Sequence, residues 1–470
     1  MCNPKYITKM KTSKILPFLI TPLVSYNAVA KVTPEIEKDK PNFIVIFCDD
    51  LGYGDLSCFG HPTIKTPSLD KMASEGQKWT NFYVSASVSS PSRAGLLTGR
   101  LGVRTGMYGD NKVVLYPNSP QGLPESELTI ASLLKQSGYA TACVGKWHLG
   151  HKEPYLPLNH GFDYFYGIPF SNDMSRKEQK LKGNPNYKFE LPFYNQLQII
   201  ETEPDQTQLT KRLTEYAVSF IEQHTEDPFF LYLAHPMPHI PLYSSSSFEG
   251  KSVRGKYGDA VEEIDWSVAQ IMESLVKNGL DKNTIVVFTS DNGPWLIYEQ
   301  EGGSAGLLKD GKGSSFEGGF RVPCIIWGDM VQPSLIVGMG STLDILPTFC
   351  DMAGIELPED RMYDGYSLKQ TLFEKEESPR EVFYFYKGSK LHAIKSNQYK
   401  MHFSSAIAYP RKKIVNHAIP LLYDTNEDPG ENFDLSDQLP EVIQKLTSLA
   451  EKFESSFRYK ESIFDLPVEK

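Results

Sequence analysis

The chain has 470 residues, enough for more than one typical domain and for a large hydrophobic core. Its 12% aromatic and 23% charged residues are typical of a globular protein and exclude a disordered chain. The formal net charge of −10 argues against nonspecific nucleic-acid binding, and it requires any site for an anionic substrate to be a local concentration of cations.

The first 30 residues are predicted to be a signal peptide. Lysines precede an apolar run over 15–24, and Ala28-Val29-Ala30 fits the pattern of a cleavage site. The run is too short to span a bilayer, so we predict an exported protein without stable membrane insertion. The six cysteines have no metal-ligand spacing, and so few of them fit a bacterial periplasm or cell surface better than a disulfide-framed secreted protein.

Apolar strand patterns alternate with helical patterns over most of the chain. Continuous apolar runs predict buried strands at 43–48, 141–144, 229–234, 285–289 and 322–327. The alternation to about residue 375 indicates an α/β fold with a large, mostly parallel sheet flanked by helices. Beyond it, closely spaced short strands and a helix over 441–453 predict a smaller antiparallel-sheet subdomain. We therefore predict an N-terminal domain over 31–375 and a C-terminal subdomain over 376–470.

A serine cluster precedes a predicted helix that begins at Pro91. Proline suits the first helical position and serine the cap before it, which places Ser89 at a helix N-terminus where free N–H groups favour negative charge. Arg93 follows about one turn later and can reach the same anion. Taken alone, such a cluster is more often an ordinary capped helix, so the interpretation depends on the rest of the chain.

Residues 151–200 are rich in Pro, Asn, Tyr and Phe and have no sustained hydrophobic period. They are predicted to form long loops, which in enzymes often shape substrate sites. A helix with Leu209, Leu213 and Ala217 on one face is predicted to follow this region.

Polar residues follow several of the predicted strands. They are Asp49, Asp50, Lys146, His148, His239, Asp291 and Asn292. Open α/β sheets place ligands outside the carboxyl ends of their strands, so these side chains are expected to converge. The acids and the amide offer only oxygen ligands, which favours Ca²⁺ over Mg²⁺ or Zn²⁺. A metal surrounded by cations, Lys312 among them, suits the hydrolysis of a sulfate or phosphate ester.

Two other motifs are excluded. Gly306, Gly311 and Lys312 have the spacing of a Walker A loop, but Gly313 stands where a serine or threonine would bind Mg²⁺, and no buried strand precedes the motif. The spacing G-x-S-x-G of the α/β-hydrolase elbow occurs at 302–306, but no predicted buried strand leads directly into it.

Several blocks resemble, in order, those of the type I sulfatases. They are Asp49-Asp50-Leu51-Gly52-Tyr53-Gly54-Asp55, Ser89-x-Pro91-Ser92-Arg93 with Leu97-Thr98-Gly99-Arg100, Gly145-Lys146-Trp147-His148-Leu149-Gly150, Ser290-Asp291-Asn292-Gly293, and Gly311-Lys312-Gly313 with Phe316-Glu317-Gly318-Gly319. They span about residues 41–330, and Asp428-Pro429-Gly430 lies in a segment that resembles the family's C-terminal part. Within the family the chain is most similar to the arylsulfatase A and N-acetylgalactosamine-6-sulfatase branch.

The resemblance implies a sulfuric ester hydrolase with an alkaline-phosphatase-like superfold. It implies that a sulfatase-maturing enzyme converts Ser89 to formylglycine (3-oxoalanine), whose hydrate attacks the sulfate ester; the serine form belongs to bacteria with an anaerobic radical maturase. The implied Ca²⁺ ligands are Asp49, Asp50, Ser89, Asp291 and Asn292. In the implied catalytic roles, Arg93 and Lys146 steady the hydrate, His148 assists sulfate release, His239 protonates or shields the leaving oxygen, and Lys312 contacts the sulfate.

The substrate is expected to be a sulfated glycan. The resemblance favours galactose or N-acetylgalactosamine and leaves the sulfate position open between C3, C4 and C6. Candidate sugar contacts are His151, Asn172, Asp173, Trp295 and His402. Alternative hypotheses are a phosphodiesterase or phosphonate hydrolase of the same superfold, and a non-catalytic glycan-binding protein with Ser89 unconverted. A serine introduced in place of a natural cysteine would also give this sequence.

Overall fold

Two β-sheets organise the part of the chain that the computed structural model describes, residues 40–408 and 413–468. The predicted signal peptide, 1–30, lies outside the described residues. Among the helices within the described ranges, none combines the length and the apolar character that a membrane crossing requires.

The larger sheet contains ten described strands. They are β1 (Asn42–Cys48), β2 (Gln77–Tyr83), β3 (Ala140–Lys146), β4 (Tyr164–Ile168), β5 (Pro192–Asn195), β6 (Gln198–Thr202), β7 (Phe229–Ala234), β8 (Thr284–Ser290), β9 (Arg321–Trp327) and β10 (Ser334–Ser341). Their spatial order is β10-β2-β9-β8-β1-β7-β3-β4-β5-β6. The five strands from β8 to β4 are mutually parallel, whereas β9 and β5 run against both of their neighbours. The carboxyl ends of the five parallel strands therefore share one edge of the sheet.

The described helices lie mostly between strands, and those around the larger sheet cover both of its faces. They are α1 (Pro67–Glu75), α2 (Ser89–Thr98), α3 (Gly102–Thr105), α4 (Ile130–Gln136), α5 (Arg176–Leu181), α6 (Leu209–Gln223), α7 (Lys256–Lys277), α8 (Glu317–Phe320), α9 (Ile345–Met352), α10 (Lys369–Glu374) and α11 (Pro440–Ser455). The sequence explains several of their ends: α1 begins with proline, and the Thr129 side chain accepts from the Ser132 N–H at the start of α4.

Each face of the central strand β1 contributes to a separate hydrophobic core. Phe43, Val45 and Phe47 point into one core, and the residues between them point into the other, because successive strand side chains alternate between faces. Helices α2, α4 and α9 cover the first core, and α1, α6 and α7 cover the second. A strand buried on both faces carries a continuous apolar run, which is why β1 was recognisable in the sequence.

The smaller sheet is antiparallel throughout. Its strands are β11 (Val382–Lys387), β12 (Lys390–Ser396), β13 (Tyr399–Ala406) and β14 (Ile414–Asp424), in that order. It shares the first core of the larger sheet: Phe383 stacks on Tyr83 with ring centroids 5.0 Å apart, and Phe385 meets Phe320 edge-on, also at 5.0 Å. The predicted α/β class with a smaller antiparallel sheet is confirmed.

The region 151–200 departs from its predicted loop structure. It contains three strands of the larger sheet, β4, β5 and β6, and the short helix α5. These strands hold only four or five residues each, and the glycine within β4 and the polar residues of β6 interrupt any apolar pattern. Strands this short leave no detectable period in a sequence.

Candidate active site

Asp49 and Asp291 follow neighbouring strands that end at the same level of the sheet. β1 and β8 pair in parallel up to Cys48 and Ser290, so the residues that come next emerge side by side. The Asp291 N–H donates to the Cys48 carbonyl at 3.0 Å, and the Asp50 N–H donates to Asp291 Oδ1 at 3.1 Å. Asp50 has a φ of +62°, which is uncommon for a residue other than glycine. Strand pairing therefore brings three carboxylates together.

Helix α2 begins at Ser89, whereas a helix starting at Pro91 with a serine cap was predicted. The cap position belongs to Val88, which makes no side-chain capping bond. The Ser89 hydroxyl has another partner, because Oγ donates to Asp49 Oδ1 at 3.2 Å. Ser89 is 1% exposed, so its oxygen lies buried at a helix N-terminus, against a carboxylate.

Arg93, one turn into α2, binds the acid that follows β8. Its Nε and Nη2 donate to Asp291 Oδ2 at 3.0 and 2.8 Å, and Nη1 donates to the Lys146 carbonyl at 2.9 Å. Nη2 also lies 3.5 Å from Asp49 Oδ1, and the guanidinium lies 5.4 Å from the centre of the Phe47 ring. Because the side chain is fully buried, these contacts replace water around its charge.

Two lysines complete the charge balance of the cluster. Lys146 Nζ forms an ion pair with Asp49 Oδ2 and donates to Ser171 Oγ at 3.2 Å. Lys312 Nζ lies 2.7 and 2.8 Å from the two carboxylate oxygens of Asp50. Each of the three carboxylates therefore has at least one close cation, as groups withdrawn from water require.

The carboxylates that follow β1 and β8 differ in how readily they ionise. Burial opposes the charge of Asp49, but Lys146 and the other nearby cations outweigh burial and hold the pKa of Asp49 well below its usual range. Burial, reinforced by the charge of Asp49, raises the pKa of Asp291 in spite of Arg93. Like charges that share a site do not ionise together easily. A divalent cation between the two acids would remove that conflict.

The hydrogen bonds of the two histidines show which ring nitrogen carries the proton. His148 Nε2 lies 2.9 Å from the Leu115 carbonyl, which can only accept, so Nδ1 keeps the lone pair. Nδ1 itself has no hydrogen-bond partner among the described residues. In His239, Nδ1 donates to the Ile240 carbonyl, and Nε2 lies 3.6 Å from Asp50 Oδ2.

The surroundings of both histidines favour the neutral imidazole. Burial, reinforced by Lys146, holds the pKa of His148 well below its usual range. Burial, reinforced by Lys312, lowers the pKa of His239. His148 is thus arranged to accept a proton at Nδ1, whereas His239 must first take up a proton at Nε2 before it can donate one.

The polar atoms at the strand ends fit a hard cation. Asn292 Nδ2 donates to Asp50 Oδ1 at 2.7 Å, but Asn292 Oδ1 is buried and has no hydrogen-bond partner among the described residues. An orphaned amide oxygen beside carboxylates suits Ca²⁺, which binds carboxylate and carbonyl oxygens in flexible geometry. Ligand atoms of Asp49, Asp50 and His239 also lie within 4.8 Å of one another. Without the histidine, the three acids and Asn292 supply the set of oxygen ligands that the sequence predicts.

A cavity of about 600 Å³ lies over the cluster. Residues of the cluster that line it are Ser89, His148, His239 and Lys312. Tyr386 and Lys387, at the end of β11, line it as well, so both sheets contribute to its wall. Such a volume suits a small ligand of about one or two sugar units.

Two of the five candidate sugar contacts line this cavity, Asp173 and Trp295. Trp295 lies beside the cluster, with Lys312 Nζ 4.3 Å from its ring centroid and the His239 ring 5.3 Å away. An aromatic face and a carboxylate are suitable groups for a sugar ring and its hydroxyls. Burial opposes the charge of Asp173, but His239, when it is protonated, and the nearby lysines outweigh burial and lower the pKa of Asp173.

The other three candidate contacts lie elsewhere, which corrects the sequence prediction. Asn172 is fully buried and donates to Gln206 Oε1 at 3.0 Å. His402 is fully buried in β13, with Nε2 2.6 Å from Glu431 Oε1. His151 is half-buried beside Phe170 and is not among the described residues that line the cavity. Asn172 and His402 have no surface to offer a sugar, because their side chains are used inside the protein.

Ser171 is a site residue that was missed in the sequence. It is buried, bonds Lys146, and lines the cavity three residues after the end of β4. The rule that found the other residues, a polar group beyond a strand end, applies to it too. It was missed because β4 itself was not recognised.

Comparison with known proteins agrees with this geometry. Residues 41–355 match the Sulfatase family, and residues 378–467 match the C-terminal region of aryl-sulfatase. The chain is 39% identical to arylsulfatase A of Bos taurus over 444 residues, which cover 88% of this chain and 87% of that protein. It is 38% identical to N-acetylgalactosamine-6-sulfatase of Mus musculus over 452 residues, covering 88% and 86%. A sulfatase structure from Pseudoalteromonas sp. superposes with a TM-score of 0.77 at 28% identity, covering 88% of this chain and 90% of that one.

The fold and the comparisons define a sulfuric ester hydrolase. The chain belongs to the sulfatase family. The predicted family, the fold class and the predicted type of reaction, hydrolysis of a sulfate ester, are thereby confirmed.

Proposed function

We propose that the chain is an exported sulfatase that removes sulfate from glycans with a formylglycine made from Ser89 and with Ca²⁺. The observation that carries the proposal is the placement of the Ser89 hydroxyl, buried at the start of α2 and 3.2 Å from Asp49 Oδ1. Asp49, whose pKa is held well below its usual range, is a poor base for activating a serine hydroxyl, which is a chemical reason for the conversion of Ser89.

The absent groups would supply two functions that the unmodified chain lacks. Hydrated formylglycine would provide a pair of hydroxyls as nucleophile, and Ca²⁺ would withdraw charge from the sulfate oxygens. Asp49, Asp50, Asp291 and Asn292 are the residues proposed to hold the ion, together with the converted residue 89.

The chain's own cations would bind the sulfate and orient residue 89. Arg93 and Lys146 are held beside Ser89 by Asp291 and Asp49, and they are proposed to fix the orientation of the converted side chain. Lys312 lines the cavity and is proposed to contact the sulfate. Such preorganised charges stabilise the transition state without the cost of reorienting water.

The two histidines are proposed to move protons at opposite stages of the reaction. His148 Nδ1 carries a lone pair and is suited to take up the proton whose removal releases sulfate. His239 Nε2 is proposed to donate to, or shield, the leaving oxygen of the sugar. It lies beside Trp295 and would have to be protonated first.

The proposed substrate is a sulfated galactose or N-acetylgalactosamine residue. The 38% identity to the mouse N-acetylgalactosamine-6-sulfatase supports this class. Asp173 and Trp295, which line the cavity, are the proposed sugar contacts. The lysine-rich leader and the absence of cysteine motifs support the proposed export to a bacterial periplasm or cell surface. The proposed division of the mature chain remains 31–375 and 376–470.

The test combines mass spectrometry with activity. In protein from a host that has a sulfatase-maturing enzyme, the peptide containing Ser89 should have lost the mass of one hydrogen molecule. The same protein should desulfate at least one of a panel of defined sulfated monosaccharides and oligosaccharides, and Ser89→Ala should not. An unmodified peptide from the native source, with no desulfation, would favour the glycan-binding hypothesis. Faster cleavage of nitrophenyl phosphate diesters than of any sulfate ester would favour the phosphodiesterase hypothesis.

A further inference from the structure

The loop that carries Lys312 is held from outside by the C-terminal sheet. The loop, 302–316, lies between the short helix at Leu296–Glu301 and α8. Its partners are Lys387 and Ala406 of the smaller sheet and Ala408, two residues beyond β13. Lys387 Nζ donates to the Gly313 carbonyl at 2.8 Å, and the Ala408 N–H donates to Asp310 Oδ2 at 2.8 Å. The Ser315 N–H donates to the Ala406 carbonyl, and the Ala406 N–H donates to Ser315 Oγ, both at 2.9 Å. These bonds connect the loop of Lys312, the proposed sulfate contact, to the C-terminal sheet, which contributes no acid or base to the proposed reaction.

The peptide groups of Gly313 connect this contact to the centre of the site. Its N–H donates to the Ser87 carbonyl at 2.8 Å, two residues before Ser89, while its own carbonyl accepts from Lys387. Gly313 has a φ of +83°, a conformation that glycine adopts without strain. The residue after Lys312 is therefore held on one side by the segment just before α2 and on the other by β11.

Lys387 is suited to act through this contact. It is half-buried at the end of β11, and it lines the same cavity as Lys312. An ammonium donor to a carbonyl makes a charge-assisted hydrogen bond, which is stronger than a neutral one. Lys390, at the start of the next strand, is exposed and bonds Asn416 instead, so it offers a matched lysine without this connection.

We propose that Lys387 is a positioning residue for Lys312, an inference that rests on the proposed function. By holding Gly313 it fixes the backbone next to Lys312 and so the direction in which that ammonium meets the sulfate. The C-terminal sheet thereby takes part in sulfate binding without contributing a reacting group.

The first experiment compares Lys387→Met, Lys387→Arg and Lys390→Met in the full chain. Loss of a charge-assisted hydrogen bond should raise the KM, and the dissociation constant for inorganic sulfate measured by calorimetry, about tenfold in Lys387→Met. Lys387→Arg should recover most of the loss, and Lys390→Met should match the wild type. A Lys387→Met protein with unchanged KM and sulfate binding would overturn the proposal.

A double-mutant cycle separates positioning from direct contact with the substrate. If Lys387 acts through Lys312, then adding Lys387→Met to a Lys312→Met protein should change the dissociation constant for sulfate less than about twofold. The reason is that the effects of coupled residues are not additive. Full additivity would overturn the proposal and assign Lys387 to direct contact. Sulfate binding can be measured without turnover. A wild type that binds sulfate but hydrolyses no sulfate ester would contradict the proposed function, whereas the sulfate affinities of the variants would still test the role of Lys387.

Discussion

Charged residues at the site are stabilised by ion pairs with one another, because water does not reach them. Lys146 is fully buried, and its partner Asp49 has no solvent around it either. A buried ion pair contributes little net stability, but removing one member leaves the other charge uncompensated. The same residues therefore serve both the proposed chemistry and the integrity of the sheet edge.

Replacing Lys146 is expected to affect both stability and activity. Lys146→Met should lower the free energy of unfolding by about 3 kcal/mol, because Asp49 loses its closest cation. It should also lower kcat by on the order of 10²-fold, because a charge near the reacting oxygen is lost. Calorimetric melting and sulfate-ester kinetics would measure the two effects. The control is Lys135→Met, which removes a partly exposed pair with Asp163 and should change little; equal behaviour of the two variants would contradict the expectation.

Asn292 gives a direct test of the proposed ion. Its buried Oδ1 has no hydrogen-bond partner among the described residues, so a cation is the expected one. Ca²⁺ should raise the melting temperature of chelator-treated wild type, since a ligand that binds only the folded state stabilises it. Asn292→Ala should bind Ca²⁺ at least about tenfold more weakly in calorimetry. A wild type whose melting temperature ignores both Ca²⁺ and chelator would count against the ion.

Among the elements, the start of α1 is capped from a distant helix. Asp265 of α7 accepts the N–H groups of Leu69 and Ser68 at 2.8 and 3.1 Å. Hydrogen bonds of this kind favour the carboxylate, but burial outweighs them and raises the pKa of Asp265 to about 6. The carboxyl therefore joins two helices and carries a pH dependence.

The stability of this helix contact should fall as the pH rises. The pKa of Asp265 is higher in the folded chain than in the unfolded one, so deprotonation between about pH 4 and pH 6 favours unfolding. Over that interval the free energy of unfolding of the wild type should fall by up to about 3 kcal/mol relative to that of Asp265→Asn. Outside the interval the difference between the two proteins should be constant. Melting temperatures from pH 4 to pH 7 would show this. The exposed Asp227→Asn serves as control, and parallel curves for all three proteins would refute the assignment.

At the scale of the whole molecule, a buried charge network joins the two sheets. Lys400 Nζ of β13 lies 3.2 Å from Glu317 Oε1 and 3.2 Å from Glu431 Oε1, and His402 completes the contact with Glu431. The Glu317 N–H donates to Glu431 Oε2 at 2.7 Å. Every side chain in this network is fully buried. The smaller sheet is therefore attached to the larger one by ionic contacts as well as by aromatic packing.

Breaking this network should destabilise the whole chain. Glu431→Gln removes the charge that Lys400 and His402 share, and it should lower the free energy of unfolding by on the order of 3 kcal/mol. Differential scanning calorimetry should show a lower melting temperature, whereas Glu427→Gln, an exposed change in the same loop, should match the wild type. A Glu431→Gln protein as stable as the wild type would show that the network contributes no stability.

Features with local causes were predictable from the sequence, and features with distant causes were not. The ends of β1 and β8 could be located to within one residue, because buried strands are continuous apolar runs, and the polar residues directly after them had to meet. The strand β3 runs two residues past its predicted end, to Lys146. The burial of His402 depends on Glu431, 29 positions later, and no local pattern records that pairing. The start of α2 was misplaced by two residues because the Ser89 hydroxyl bonds Asp49, 40 positions away, instead of capping the helix.

The pairing of β1 with β8 has a consequence for how the protein matures. The bond from the Asp50 N–H to Asp291 joins residues 241 positions apart. Contacts of such long range form slowly, because a large loop must close first. No fragment that ends before β8 can assemble the complete set of acids, so high-affinity uptake of the proposed Ca²⁺ should begin only after the central strands have paired. During refolding, binding of the proposed ion would then occur only once the native strand order is complete, and therefore later than the formation of the helices.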